Sequence, residues 1–189
     1  SDSEEVCFSG ASTVQLEDGA IIVMKNLKIG DRVRVAEDKF DTVYGFGHYD
    51  PTVVAEYTRI HSKGQDSPIE ISGPHLLFLQ GKKTVPASAV RVGDILQNGA
   101  EVTMIKKVIS KGAFAPFTYS GTIVVDNVLA SSYVSLTGTN TLLGLVDMHW
   151  LAHVAVAPRH ILCKLELCNE GYTENGIATW IPFAAAKWL

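Results

Sequence analysis

The chain has 189 residues, 47% of them hydrophobic and 19% charged, with a formal net charge of −4. This length holds one substantial core, or one core with a small appendage, and the composition is that of a globular chain. No run of Lys or Arg exceeds two residues, so no nucleic-acid partner is expected; no apolar stretch approaches the roughly 20 residues that span a bilayer; and the polar, acidic opening, Ser1 to Val6, does not read as a signal peptide.

Up to about residue 138, Gly and β-branched residues dominate. Short apolar runs alternate with turn signals at intervals of about eight to twelve residues, the pattern of an all-β sandwich or closed β-fold. Strands are expected at 12–15, 21–24, 32–36, 42–47, 58–61, 69–71, 76–80, 84–86, 95–97, 100–110, 121–125 and 128–130. Between them fall Asp18-Gly19, Ile29-Gly30-Asp31, Ser62-Lys63-Gly64, Gln80-Gly81 and Asn98-Gly99, where Gly supplies the positive φ of tight turns.

An internal repeat lies within this region. Leu27-Lys28-Ile29-Gly30-Asp31-Arg32-Val33 reads like Val90-Arg91-Val92-Gly93-Asp94-Ile95-Leu96. Each has an apolar, a basic and an apolar residue, then Gly-Asp and a strand. A helical turn closed by Gly, with Asp opening the next strand, fits both copies. The repeat implies a duplicated β-unit with pseudo-twofold symmetry and an active site between its halves.

After residue 138 the character changes. Residues 142–167 are rich in Leu, Ala, His and Trp, and Leu142, Val146, His149, Trp150 and His153 fall at helical spacing. Pro158 breaks or restarts the helix. Residues 139–189 therefore read as a mostly helical appendage of two or three helices.

Three cysteines, Cys7, Cys163 and Cys168, are too few for a disulfide framework, and their spacing fits no zinc pattern. No metal or cofactor is expected. Cys163 and Cys168 read as core residues or, in an oxidising compartment, as a disulfide. His149, His153 and His160 read as packing rather than as a metal site, because only His149 and His153 share a helix face.

Cys7 is the candidate nucleophile. A thiol that cuts an amide needs help to ionise, since its ordinary pKa is about 8.5; the leaving amine needs a proton, and the developing oxyanion needs donors. The side chain of Cys7 reaches the carbonyl of Val6 through a five-membered transition state, which lowers the entropic barrier. His75, in Ser72-Gly73-Pro74-His75, is the candidate proton carrier, with the Ser72 hydroxyl three residues before it. Read from that segment alone, His75 reads first as a residue that merely caps a strand.

Cys7-Phe8-Ser9-Gly10-Ala11-Ser12-Thr13-Val14, the 27–33 segment, Ser72-Gly73-Pro74-His75 and the block from Gly121-Thr122-Ile123-Val124-Val125 to Tyr133 together resemble the autoprocessing (Hint) domain of Hedgehog proteins, in the same order. The resemblance covers residue 7 to about 135 and continues loosely through 150–159, which is similar to the start of the Hedgehog sterol-recognition region. It implies a horseshoe-like all-β Hint fold, with residues 1–6 upstream of the cut, an autoprocessing domain at 7–138 and a recognition region at 139–189. It implies an N–S acyl shift by Cys7, proton donation by His75, and Ser72 in place of the family's Thr. The substrate is then the chain's own N-terminal polypeptide. The resulting thioester passes to water, a thiol, or a sterol or other lipid alcohol, with peripheral membrane contact through 139–189 and work in the secretory route or outside the cell.

The chain departs from the family at three points. Val6 stands where the family has Gly, His48 where it has an Asp (with Asp50 two residues on), and Ser132 where it has a second Cys. Asp126 is a further residue that could touch the site. Splicing is not expected, because the chain lacks the terminal Asn that an intein uses. Two other readings stay open: a Hint-fold module that has lost its chemistry and binds a lipid or protein, and a Cys-His hydrolase acting on other proteins.

Overall fold

Apolar runs closed by Gly-bearing turns produce a β-rich fold in the computed structural model, which describes residues 8–81, 84–134 and 148–181. In chain order the described strands are β1 (Thr13–Gln15), β2 (Ile21–Val23), β3 (Arg32–Ala36), β4 (Lys39–Ser62), β5 (Ile69–Ile71), β6 (His75–Phe78), β7 (Thr84–Pro86), β8 (Val102–Thr118), β9 (Thr122–Val125) and β10 (Val128–Val134). Two helices follow, α1 (Met148–Ala155) and α2 (Ala157–Lys164). One sheet runs β2-β1-β9-β10-β6-β7; the other joins β3, β4 and β5, with β8 paired to β4. Period-two alternation is visible in β3, where Val33 and Val35 are buried while Arg32 turns outward to Glu17.

The repeat is structural as well as sequential. In each copy a short 3₁₀ turn, at Met24–Asn26 or Ala87–Ala89, precedes the motif. Gly30 and Gly93 take φ of 93° and 91°. The Asp carboxylates reach back to accept from Lys28 N–H and Arg91 N–H, each at 2.8 Å. Gly30 N–H donates to the Val43 carbonyl and Gly93 N–H to the Val102 carbonyl, again at 2.8 Å. Leu27 and Val90 are buried while Ile29 and Val92 are exposed. The helical turn expected within the motif lies just before it, because Gly and Asp use their backbone groups to start the next strand. The copies differ afterwards: Asp31 opens β3, whereas Ile95 and Leu96 make isolated bridges instead of a full strand.

Strands β4 and β8 are longer than the sequence indicated. Asp50-Pro51 falls between the strands expected at 42–47 and 58–61, yet the chain continues through it as one bulged strand. The Asp50 carboxylate accepts from Thr52 N–H and hydroxyl, both at 2.7 Å, and from Val53 N–H at 3.1 Å, while the register against β8 shifts.

The main core gathers Phe8, Leu27, Val33, Phe46, Ile71, Leu77, Val90, Leu96 and Phe114. Each such side chain contributes about 1.5–3 kcal/mol on burial. A second, aromatic cluster of Tyr44, Phe117, Tyr133, Ala178 and Ile181 takes in Ala152, Val156, Cys163 and Trp180. The C-terminal region thus packs onto the β-frame. Pro158 lies in the first turn of α2, where its missing N–H costs nothing. Beyond α2 the chain is extended. Ala178 N–H donates to the Gly47 carbonyl at 2.9 Å, and Tyr49 N–H to the Gly176 carbonyl at 2.8 Å. This stretch of β4 lies between the segments that pair with β3 and β5, so its edge would otherwise be bare. Gly176 is required there: φ is 75°, and a Cβ would stand 2.7 Å from the Tyr49 carbonyl oxygen.

Leu142, Val146, Trp188 and the boundary expected at 138 lie outside the described residues. Trp150, which could have been core, is exposed. No helix among the described residues is long and apolar enough to cross a membrane.

Candidate active site

Phe8 is seated between two strands. Its N–H donates to the Phe114 carbonyl at 2.9 Å, Phe114 N–H returns a bond to the Phe8 carbonyl at 3.0 Å, and Phe8 also bridges to Ile71. Its side chain is fully buried, with its ring 4.6 Å from that of His75. Val6 and Cys7 lie outside the described residues, but Cys7 is bonded to the amide nitrogen of Phe8.

His75 opens β6 after a tight turn in which its own N–H donates to the Ser72 carbonyl at 3.2 Å. Ser88 N–H holds the Gly73 carbonyl at 2.9 Å. The imidazole is fully buried, and its Nε2 lies 2.6 Å from the backbone carbonyl of Ser131. A carbonyl only accepts, so Nε2 carries the proton and Nδ1 holds the lone pair of the neutral ring. Nδ1 has no hydrogen-bond partner among the described residues, and neither has the buried hydroxyl of Ser72. Burial pushes the His75 pKa down to about 4, against the opposing effect of the Ser131 bond.

The Ser131 carbonyl is available because β10 bulges. Ala130 pairs with Leu77 and Val134 with His75, so four steps along β10 match two along β6. Ser132 N–H donates to the Gly121 carbonyl at 2.8 Å, and Tyr133 N–H donates to the Ser131 hydroxyl at 2.9 Å.

His48 lies on β4, buried, bridging to Ile177 of the returning chain. Its neighbour Tyr49 pairs with Phe114, which pairs with Phe8, so His48 sits on the second strand from Phe8, about 10 Å away at ordinary strand spacing. Ser72 and His75 therefore flank one side of Phe8 and His48 the other.

The chain matches the Hint module over residues 2–181. It belongs to the Hint family. Tiggy-winkle hedgehog protein of Danio rerio is 29% identical over 97% of this chain and 48% of that protein. Warthog protein 6 of Caenorhabditis elegans is 33% identical over 69% of this chain and 24% of that protein. The chain thus spans about half or less of the length of these relatives. Among solved structures, a variant of the gp41-1 intein superposes with a TM-score of 0.55 at 16% identity, covering 67% of this chain and 98% of the intein. A DnaB intein from Synechocystis sp. PCC 6803 gives 0.55 at 10% identity, over 69% and 99%. These likenesses show the mostly β Hint fold, here with short C-terminal helices.

Within this Hint frame Asp50 and Asp126 serve a bulge and a turn of their own, and Ser132 follows the residue that binds His75. Asp50 serves the β4 bulge; its bond from the Thr52 hydroxyl, foremost, holds its carboxyl below the usual range. Asp126 sits in the β9–β10 turn at φ 49° and accepts from Thr13 N–H and hydroxyl, both at 2.8 Å. It ties β1 to that turn, while burial raises its pKa. Ser132 is buried beside Ser131, and its hydroxyl has no partner among the described residues. His149, His153 and His160 come together across α1 and α2, with centroids 6.1 and 5.0 Å apart, although only the first two share a helix. Each is bonded to a hydroxyl, of Ser131 at 2.8 Å, Tyr133 at 2.8 Å and Tyr44 at 3.1 Å. Cys163 and Cys168, half-buried, form a disulfide that closes the end of α2 onto the return. The Ser131 carbonyl had no sequence signal, since any residue supplies a backbone oxygen; the Gly-Thr-Ile-Val-Val block pointed only to its neighbourhood.

Proposed function

We propose that this Hint domain cuts its own chain at the Val6–Cys7 bond. The observation that carries the proposal is His75: fully buried, fixed through Nε2, with no partner for Nδ1 among the described residues and its ring against the residue that follows Cys7. In this reading the Cys7 thiol proton moves to Nδ1 in the same step in which the sulfur attacks the Val6 carbonyl, since a ring with a pKa of about 4 does not take that proton from the resting thiol. The C–N bond then breaks, and the same proton passes from Nδ1 to the leaving amine of Cys7. A buried imidazolium is a strong acid for that transfer, because its pKa is depressed to about 4. The Ser72 hydroxyl, buried and without a partner among the described residues, suits a bond to the Val6 carbonyl oxygen as charge develops there.

The thioester then passes to a second nucleophile, for which His48 serves as base. Its acyl group ends in β-branched Val6, which crowds the carbonyl and slows this attack. Exposed Trp150, Val154, Ile161, Leu162, Leu165 and Leu167 on and after the two helices support a lipid alcohol, including a sterol, as acceptor. The disulfide supports passage through an oxidising, secretory compartment. The test is a fusion with a reporter ahead of Ser1. Wild type is expected to release the reporter when thiol is added, and Cys7→Ala to release none; release from Cys7→Ala would end the proposal.

A further inference from the structure

The carbonyl that sets the His75 tautomer belongs to a bulge: β10 keeps its ladder with β9, where Ser131 pairs with Thr122, but its ladder with β6 is interrupted between Ala130 and Val134, on the side that faces His75. Three contacts meet at Ser131, two at its side chain and one at its backbone oxygen. Its hydroxyl accepts from Tyr133 N–H at 2.9 Å and shares a second hydrogen bond, at 2.8 Å, with Nδ1 of His149 on α1. The backbone oxygen of the same residue receives the His75 Nε2–H. The His149 ring lies 5.1 Å from that of Phe78 on β6 and 5.5 Å from that of Tyr133 on β10, so it touches both strands between which the bulge forms.

We propose that His149 is a positioning residue for self-cleavage: through Ser131 it locks the β10 bulge, and so fixes the orientation and tautomer of His75. Helix α1 then contributes to the first step, formation of the thioester, and not only to recognition of the second nucleophile. The consequence for cleavage rests on the self-cleaving reading above; the effect on the His75 ring does not. A hydroxyl held at both ends keeps the carbonyl aimed, whereas a free one lets the bulge relax, and small misplacements of a proton carrier cost rate steeply.

The experiment compares His149→Phe, His149→Asn and Ser131→Ala in the reporter fusion under saturating thiol, where the rate reads the first step. Phe keeps the ring packing and removes the polar atom; Asn restores a polar atom close to the position of Nδ1. The expected result is a roughly 10-fold slower release for His149→Phe and Ser131→Ala, no further loss when the two are combined, and recovery by His149→Asn. In parallel, the His75 Nε2–H resonance is followed by ¹H–¹⁵N NMR in a Cys7→Ala background, which needs no cleavage. It is expected to shift or broaden in His149→Phe and Ser131→Ala, and to return in His149→Asn. Wild-type release rates in both variants, or an unmoved resonance, would overturn the proposal, as would His149→Asn behaving like His149→Phe. Cleavage that survives Cys7→Ala would instead remove the self-cleaving reading, and the resonance alone would then decide the positioning role.

Discussion

Two buried histidines stand on opposite sides of Phe8 and are held in different ways. His75 is fixed within the β-frame, by a turn at one end and a bulged carbonyl on its ring. His48 lies on the long β4 strand, under a chain segment that returns from the far side of two helices. One wall of the site is therefore rigid, built in the β-frame with α1 reaching it through the His149–Ser131 contact, and the other is completed by the chain that returns beyond α2. In the account proposed here that difference separates the two steps: bond breaking belongs to the rigid wall, and transfer to the second nucleophile belongs to the assembled one.

The largest effect expected from this comparison is kinetic. His75→Ala should lower the thiol-driven release rate by about 10²–10⁴-fold, the ordinary worth of a positioned proton carrier. His48→Ala should leave that thiol-driven step near wild type and slow only the reaction with water or an alcohol. Equal losses at both steps in both variants would erase the distinction between the walls.

A thermodynamic effect of His75 comes next. Its folded-state pKa of about 4 lies below the ordinary value of 6.5, so the folded protein holds this ring neutral where the unfolded chain protonates it. The stability from that difference is fully present above pH 6.5 and is lost as pH falls through 6.5 towards 4. The loss is on the order of 3 kcal/mol. Denaturant titrations between pH 7 and pH 4, on Cys7→Ala with and without His75→Phe, should show it as extra pH dependence in the chain that keeps His75. His153 and His160 are also lowered, chiefly by burial, and the subtraction removes their share.

The smallest effect belongs to the assembled wall. The Cys163–Cys168 bridge closes a short loop, and Cys168→Ser should cost about 2 kcal/mol by loop-closure entropy. Hydrogen exchange should rise at Ala178 and Tyr49, whose amides hold the return against β4. Unchanged exchange there would mean that the return stands without its staple.

The rigid wall was largely legible in the sequence, and the assembled wall was not. Ser72-Gly73-Pro74-His75 announces a turn that aims a histidine, and the two Gly-Asp motifs announce the duplicated frame, because turn chemistry is local. The Asp50-Pro51 bulge, which falls between the strands expected at 42–47 and 58–61, shows the limit: a side chain that caps its own strand looks like a turn from sequence. The pairing of Gly176 and Ala178 with Gly47 and Tyr49 depends on backbone groups far apart in the chain, and the helical composition around 142–167 gave no hint of an extended return. For the same reason the Ser131 carbonyl could not be read, although Ser131 lies within a recognised block.

The intact mass of the reporter released from the wild-type fusion in the presence of a small thiol such as mercaptoethanesulfonate decides whether Cys7 forms a thioester with Val6. The expected product is a reporter that ends at Val6 and carries the thiol as a thioester on its terminal carbonyl. A reporter ending elsewhere, or ending at Val6 only as the free acid in fresh thiol-saturated reactions, would contradict it.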